Sequence, residues 1–437
     1  MPAFSTPYIA GTDANRTIKD ALAEVLTRRS ARKRISVTDL INPRQAFLGR
    51  THPEIQPSPE RQQTMMAGTG FHDAFGRAVS TEEFVEQLVE FQEIVGKIDI
   101  YEDHPVEVKT TGAIPADPIG WRPYNVEQLG MYCTMVQRPR GHLIYFRRSE
   151  WGRPSDLKAY ALEFADLPSI AAEMGRRRDL LRRALEAGDP AGLPRCEWFG
   201  RQCDYEAICG CALAPPLERL IGYGTVRVQE AVELTRRLVD GIGAVPFPRD
   251  RVALNDLVFP RKAAFRRGPG GQEDGETAQD RMASFQRRAF DDALKDAIWY
   301  GFPGQCRYRR VSLGSVSASV MLFHDVPTIL RTYRRREMVD RRRLAEEVPF
   351  YVDRLAFECA LTDSPRGRLV VYYSEVPEDK FMVYDFWFRD LPEIRAEMQR
   401  RLDLLESGAE PSELPACQPA WMMNRCQFAP GCRCVEG

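Results

Sequence analysis

The sequence has no run of eighteen apolar residues, and its N-terminus, Met-Pro-Ala-Phe-Ser, lacks a basic and apolar leader. These absences argue against a membrane-spanning helix and a secretory signal, so we expect a cytoplasmic protein without a membrane partner. The formal net charge is only -1 at pH 7. Because basic residues gather in arginine runs at 176–178, 334–336 and 341–343, this balance does not exclude a polyanionic partner.

The chain is long enough for two ordinary domains, with 437 residues of which 43% are hydrophobic. In an intracellular protein, its 11 cysteines are more typical of metal ligands and core residues than of disulfides. Cys133 and Cys359 lie within apolar segments, which predicts buried packing roles. Cys306 stands alone and has no predicted role.

Two halves of the chain carry related landmarks. Residues 34–44 read Arg-Ile-Ser-Val-Thr-Asp-Leu-Ile-Asn-Pro-Arg, and residues 251–261 read Arg-Val-Ala-Leu-Asn-Asp-Leu-Val-Phe-Pro-Arg. An offset of about 220 residues persists to a cysteine group near the end of each half. This repetition indicates a duplicated domain, and we predict that the two copies span residues 1–215 and 216–437. Apolar spacing predicts helices at 17–27, 228–238 and 128–136, and Ser80 with Glu83 predicts a helix-capping box.

The first half contains a predicted β-hairpin at residues 96–110, with its turn at 102–105. Because side chains alternate across a strand, Ile98 and Ile100 should share an apolar face, and Asp99 should lie on the other. Glu107 and Lys109 should join Asp99 on that polar face. Two buried carboxylates need a cation, and Mg²⁺ or Mn²⁺ suits oxygen ligands, while the lysine can orient or deprotonate a water. An exposed hairpin with an ordinary Glu107–Lys109 salt bridge is the alternative.

Three further residues accompany the hairpin in sequence. His72, on a preceding helix, could provide another metal ligand, although packing or capping is the commoner role of a single histidine. Gln128 and Tyr132 are four residues apart and therefore share one helix face, where they could hold a phosphate or the lysine. Polar pairs on helices are commonly just solvated. The ordered combination is much rarer than any of its members.

This ordered set resembles the RecB-like branch of the PD-(D/E)XK nucleases, and most of all the CRISPR-associated RecB-like exonucleases. The resemblance covers residues 35–211 through His72, Asp99, Glu107-Val-Lys109 and Gln128-x-x-x-Tyr132. It implies an α/β (α+β) fold in which each of two tandem domains is a mixed sheet flanked by helices. It also implies metal-dependent hydrolysis of DNA, with a metal on His72, Asp99 and Glu107. Lys109, Gln128 and Tyr132 would act with the two carboxylates in catalysis.

The second half lacks these residues. Aligning Pro105 with Pro327 places Met321 at Asp99, Ile329 at Glu107 and Arg331 at Lys109. The following helix carries Arg354 and Glu358 in place of the glutamine and tyrosine. We therefore expect a degenerate pseudonuclease copy. Its basic side chains favour contact with DNA phosphates, and a solvated arginine-rich helix is the alternative. The candidate DNA-binding residues are Arg331, Arg334, Arg335 and Arg336.

The cysteine groups end with the same spacing, Cys-x5-Cys-x-Cys. The first contains Cys196, Cys203, Cys209 and Cys211, and the second contains Cys417, Cys426, Cys432 and Cys434. Four neighbouring thiolates need a cation to remain stable and reduced. Because Cys203-Asp-Tyr205 resembles the cysteine-rich end of the same nuclease family, we expect a four-iron four-sulfur (4Fe–4S) cluster in each half. Zinc is the alternative.

The sequence thus predicts a Mg²⁺- or Mn²⁺-dependent deoxyribonuclease, an exonuclease on single strands or DNA ends, whose second copy binds DNA or serves as a scaffold. Proteins of a repair or CRISPR adaptation complex are candidate partners. A non-catalytic DNA-binding or complex-assembly protein with structural metal clusters is the alternative. An arginine-rich RNA-processing factor is a third reading, although no motif of a known RNA module stands out.

Overall fold

A computed structural model describes most of the chain. The described residues are 3–27, 34–148, 155–197, 203–219, 221–222, 224–242, 251–268, 277–333, 335, 337–373, 376, 380–418, 426 and 428–432. Within these ranges, no helix is both long and apolar enough to cross a membrane.

The strands, in chain order, are β1 Ile9–Ala14, β2 Ile35–Ser36, β3 Val85–Phe91, β4 Ile94–Tyr101, β5 Pro105–Thr111, β6 Arg140–Arg147, β7 Asp156–Phe164, β8 Val226–Glu230, β9 Cys306–Leu313, β10 Val316–Phe323, β11 Val326–Tyr333, β12 Arg366–Tyr373 and β13 Phe381–Phe388. The helices are α1 Arg16–Thr27, α2 Val37–Ile41, α3 Pro43–Thr51, α4 Pro59–Val79, α5 Pro118–Trp121, α6 Pro123–Met135, α7 Leu167–Ala187, α8 Val232–Gly241, α9 Leu254–Val258, α10 Pro260–Arg267, α11 Ala278–Gly301, α12 Leu344–Glu347, α13 Pro349–Thr362, α14 Leu391–Glu406 and α15 Ala429–Cys432.

These strands form two mixed sheets with related topology. One sheet has the order β2-β4-β5-β6-β7-β8, with β3 paired to β4, and the other has the order β1-β13-β12-β11-β10-β9. The central pairs β5/β6 and β11/β12 are parallel, and their neighbours β4/β5, β6/β7, β10/β11 and β12/β13 are antiparallel. The predicted α/β class, with mixed sheets and helices, is confirmed at this level.

The first strand of each half joins the sheet of the other half. Strand β1 pairs with β13, and β8 pairs with β7. The chain accordingly divides into an N-unit, residues 27–244 and 278–293, and a C-unit, residues 1–26, 245–277 and 294–437. These units differ from the predicted domains 1–215 and 216–437 because sequence similarity marks the start of a repeat and does not show which sheet receives its first strand.

The N-unit sheet is covered by helices on both faces. Leu143 and Tyr145 of β6 pack in the core that includes α6, whereas Ile144 and Phe146 pack in a second core with α4. Phe71 of α4 approaches Phe146 with ring centroids 4.3 Å apart. The two-residue alternation of β6 therefore fills both cores.

Helix α6 packs closely on β6 through a glycine. A Cβ atom at Gly141 would lie 2.9 Å from both Cys133 Sγ and Leu129 Cδ1, and 3.0 Å from the Pro105 carbonyl oxygen. In the C-unit, a Cβ at Gly367 would lie 2.6 Å from Cys359 Sγ. Both cysteines are fully buried, which confirms their predicted packing roles.

Three local predictions from sequence were wrong. Residues 228–230 of the predicted helix belong to β8, and the helix begins at Val232. The Ser80 hydroxyl donates to Glu102 instead of capping a helix, and only a 3-10 turn follows at Glu82–Phe84. The two isoleucines expected on one face, Ile98 and Ile100, pack in different cores.

Candidate active site

Strands β4 and β5 pair for only a short distance before Asp99 spans them. Ile100 pairs with Val106 and Tyr101 with Pro105, at the closed end of the hairpin. Beyond these pairs, the Val108 amide donates to Asp99 Oδ2 at 2.7 Å. This side-chain contact satisfies a backbone donor and fixes the carboxylate beside β5. The β4/β5 pairing stops between Ile98 and Ile100, the two isoleucines that pack in different cores.

Alternation along β5 directs Glu107 and Lys109 away from the apolar core that holds Val108. Glu107 is only 2% exposed and forms an ion pair with Lys109 Nζ. The same ammonium donates to Gln128 Oε1 at 3.0 Å, and Gln128 Nε2 donates to the Tyr132 hydroxyl at 3.2 Å. Because Gln128 and Tyr132 are one turn apart on α6, this helix positions the lysine from one side.

His72 approaches from α4, on the other side of the hairpin. Its Nδ1 lies 3.5 Å from Asp99 Oδ1. The structure thus brings the six predicted side chains together in two groups. His72 and Asp99 form the first group. The second group contains Glu107, Lys109, Gln128 and Tyr132. Electrostatic coupling joins the groups, since the Asp99 charge acts on both Glu107 and Lys109.

Burial disfavours the charged form of each of these groups; the Asp99 charge adds to that effect at Glu107, and neighbouring charges outweigh it at Asp99 and Lys109. Burial, followed by repulsion from Asp99, raises the pKa of Glu107 to about 7 despite the Lys109 ammonium. Burial also opposes ionisation of Asp99, but attraction to His72 and Lys109 outweighs it and lowers the pKa of Asp99. Burial disfavours the Lys109 ammonium, yet Glu107 and Asp99 outweigh this and raise its pKa. The site is therefore short of positive charge.

One oxygen in this site lacks a partner. Within the described residues, the buried Glu107 Oε2 has no hydrogen-bond partner. A buried carboxylate oxygen without a donor is costly, and a hard divalent cation would satisfy it. No three His, Cys, Asp or Glu side chains in the described ranges are already spaced as ligands of one ion. The donor chemistry therefore fits such a cation, without a preformed cage.

The equivalent C-unit positions are apolar or internally paired. Met321 and Ile329 are each 5% exposed where Asp99 and Glu107 would stand. On α13, Arg354 Nε donates to Glu358 Oε1 at 2.7 Å, replacing the glutamine–tyrosine contact of α6. These positions offer no carboxylate pair comparable to that of the N-unit.

Of the predicted DNA-binding arginines of the C-unit, the two that the structure describes have intramolecular contacts. The Arg331 guanidinium lies 5.7 Å from the Tyr351 ring centroid, and Arg335 lies 3.0 Å from Glu347. Arg334 and Arg336 lie outside the described residues.

The first cysteine group forms a small core with α3 and α7. Cys196, Cys209 and Cys211 are buried, whereas Cys203 is partly exposed. Arg44 is 4% exposed and donates to the carbonyl oxygens of Cys209 at 2.9 Å and Leu193 at 2.6 Å. Burial, followed by the neighbouring thiol of Cys211, raises the pKa of Cys196. A bound cation would be needed to hold this thiol as a thiolate.

The second cysteine group is described in part. Cys417 and Cys426 are partly exposed and Cys432 is buried, whereas Cys434 lies outside the described residues. Arg261 donates to Leu414 O at 2.8 Å and to Cys432 O at 3.4 Å, as Arg44 does in the N-unit. Sequence reasoning missed both arginines, although each follows the repeated proline and could have been found there.

Comparisons with known proteins do not identify the chain. No family model and no curated protein matches it. A solved structure described as the crystal structure of SSO0001 matches with 19% identity and a TM-score of 0.31, covering 44% of this chain and 94% of that one. This likeness is too weak to indicate a function.

Proposed function

We propose that this protein is a Mg²⁺- or Mn²⁺-dependent deoxyribonuclease that resembles the RecB-like exonucleases of the PD-(D/E)XK superfamily. It hydrolyses phosphodiester bonds in the N-unit and acts on single strands or DNA ends. The observation that supports this most is the buried, unpartnered Glu107 Oε2 beside Asp99 and the Lys109 ammonium. A salt bridge on an exposed hairpin would not leave a carboxylate oxygen buried without a donor.

Each side chain has a role in the proposed reaction. Asp99, Glu107 and His72 would hold the ion, which would activate water and neutralise phosphate charge when bound. Lys109 directs its ammonium toward the carboxylate site and would orient the attacking water or stabilise negative charge on the phosphate. Gln128 holds that ammonium, and Tyr132 holds the glutamine. Water attacks phosphorus and gives up a proton to solvent, the phosphorus–oxygen bond to the leaving sugar breaks, and that sugar oxygen takes up a proton from solvent.

The C-unit and the cysteine groups would support this activity. The degenerate repeat binds DNA or serves as a scaffold, and a 4Fe–4S cluster, or zinc, clamps each cysteine segment. Repair and CRISPR adaptation complexes are the candidate settings for such a nuclease.

Digestion of labelled DNA in Mn²⁺ tests the assignment. We expect Glu107→Gln and Lys109→Ala each to lower the cleavage rate by about 10²-fold or more, because the first weakens binding of the ion and the second removes the ammonium that would orient the water or stabilise the phosphate. Glu163→Gln is the matched control, since this β7 side chain is 45% exposed and paired with Arg140. Undiminished cleavage by Glu107→Gln would reject the site. A wild-type protein that binds DNA but never cleaves it would favour the non-catalytic alternative.

A further inference from the structure

Arg122 occupies the junction between two helices beside the candidate active site. Helix α5 ends at Trp121 and α6 begins at Pro123. The Arg122 side chain is half-buried, and its Nη1 donates to the Tyr124 hydroxyl at 3.0 Å. Among the described residues, no carboxylate pairs with this guanidinium, so its positive charge is available to an anion.

Helix α6 connects this arginine to the lysine of the site. Asn125, the residue after Tyr124, donates to the Tyr145 hydroxyl at 3.0 Å, and Tyr145 pairs with Lys109 across β5 and β6. Gln128, one turn further along α6, accepts from the Lys109 ammonium at 3.0 Å. The guanidinium therefore lies at the lysine end of the site, the end at which a phosphate would be bound.

The C-unit shows that the backbone does not require these side chains. Its equivalent junction lies between α12 and α13, with Val348 and Phe350 in place of Arg122 and Tyr124. The junction residue has φ -134° and ψ 54° in the C-unit, against φ -142° and ψ 50° at Arg122. The same turn thus forms without a guanidinium or a phenol. At the equivalent positions, the C-unit therefore has neither the guanidinium nor the phenol, and it also has neither of the two carboxylates of the candidate site.

The residue before Arg122 is an exposed tryptophan. Trp121 is 63% exposed, and the equivalent C-unit residue is Glu347, which pairs with Arg343 and Arg335. A large exposed aromatic ring next to a guanidinium that pairs with no carboxylate in the described part of the chain combines the two elements that bind single-stranded nucleic acid, a stacking surface and a phosphate contact.

We propose that Trp121 and Arg122 form a substrate subsite for an unpaired DNA strand. This inference rests on the proposed nuclease function. Arg122 contacts a backbone phosphate next to Lys109 and is held in position by Tyr124. Trp121 stacks on an unpaired base of the same strand. Because a base within a duplex is already stacked on both faces, the subsite selects single strands or frayed ends.

Binding of a fluorescent single-stranded oligonucleotide in EDTA tests the subsite without cleavage. We expect Arg122→Val and Trp121→Glu, the residues of the C-unit, each to weaken binding about tenfold. Tyr124→Phe should weaken it less, because the arginine is retained but is no longer held. Arg236→Val and Leu88→Glu are matched controls: Arg236 is an exposed arginine paired with Glu233, and Leu88 is 71% exposed. Both controls should bind as the wild type does.

Cleavage in Mn²⁺ separates this inference from the proposed function. We expect Arg122→Val to raise KM about tenfold and to change kcat less than KM, and Arg122→Lys to recover part of the loss. If Arg122→Val and Trp121→Glu bound the oligonucleotide as tightly as the wild type, the proposed subsite would be overturned. The proposed nuclease function would still stand if Glu107→Gln abolished cleavage. Weakened binding in a wild-type background that never cleaves DNA would support the subsite alone. An equal loss of duplex and single-strand binding by Trp121→Glu would refute base stacking.

Discussion

At the scale of single residues, the chemistry of the candidate site centres on Glu107. Its carboxylate is buried beside a second carboxylate, Asp99, with a lysine on one oxygen and, among the described residues, no hydrogen-bond partner on the other. In the metal-free protein this environment favours the protonated form, and the pKa of Glu107 rises to about 7. A cation would reverse that preference, because it stabilises the ionised form.

The metal-free protein should therefore lose stability as the pH rises toward neutrality. The pKa of Glu107 is higher in the folded chain than its ordinary value of 4.5, so the folded state binds more protons between these values. Its contribution is present at low pH and is lost as the pH rises through about 7, costing about 2 kcal/mol or more. Thermal unfolding in EDTA at about pH 5.5 and about pH 8 would measure this loss.

Glu107→Gln is the control for that measurement, because glutamine does not titrate. We expect a smaller decrease in stability over the same pH range in this variant. Addition of Mn²⁺ should stabilise the wild type more at the higher pH, where no proton has to be displaced. An identical pH dependence of the two proteins would contradict the assignment of the raised pKa to Glu107.

The sequence predicted which side chains lie together in the candidate site but not their contacts. The spacing of Glu107 and Lys109 predicted one polar face, because alternation along a strand is a local property. The bridging of Asp99 to the Val108 amide depends on where β4 and β5 separate, which no local pattern encodes. Arg122 was missed for a related reason, since its importance comes from the folding of α5 and α6 beside β5.

At the scale of elements, each cysteine segment accepts hydrogen bonds from an arginine of its own unit. Arg44 and Arg261 follow the prolines that begin α3 and α10, and both donate to carbonyl oxygens in the cysteine segments. Arg44 is buried and Arg261 is partly buried, and guanidinium contacts of this kind fix a chain segment that has little regular structure. The cysteine segments are therefore positioned by the same helices that follow the repeated landmarks.

Metal analysis of anaerobically purified protein tests the proposed clusters. We expect iron and sulfide with a broad visible absorption band, and we expect Cys209→Ser to lose about half of the bound metal, one cluster of two. Cys133→Ala is the control, because this buried cysteine packs against Gly141 outside the cysteine group. A colourless protein containing zinc would favour the alternative metal, and a protein without either metal would reject the clusters.

Element prediction succeeded where periodicity was strong and failed at the edge strands. The hairpin and helix α6 follow patterns that local sequence encodes. Strand β1 has the sequence Ile-Ala-Gly-Thr-Asp-Ala and no buried residue, and β8 is mostly exposed. An edge strand with one neighbour needs little apolar alternation, so its existence depends on a partner that is distant in sequence.

At the scale of the whole chain, the exchange of first strands determines which fragments can fold. The N-unit obtains β8 and α8 from residues beyond 215, together with residues 278–293 of α11. Phe285, in that part of α11, packs edge-on against Phe71 with ring centroids 5.6 Å apart. A chain cut after residue 215 would leave β7 without an outer neighbour and this aromatic core without its cover. It would also carry β1 without β13, its partner in the C-unit sheet.

We therefore expect the fragment 1–215 to aggregate and to unfold without a cooperative transition, because an open sheet edge and uncovered aromatic rings promote association. The fragment 27–293 contains every residue of the N-unit and is the matched comparison. It should unfold cooperatively and retain the stabilisation by Mn²⁺ at about pH 8 expected of the full chain. Calorimetry and light scattering of the two fragments would measure the difference. If 1–215 folded cooperatively and 27–293 did not, the strand exchange could not be the arrangement that stabilises the site, because the shorter fragment lacks β8, α8 and the aromatic cover altogether.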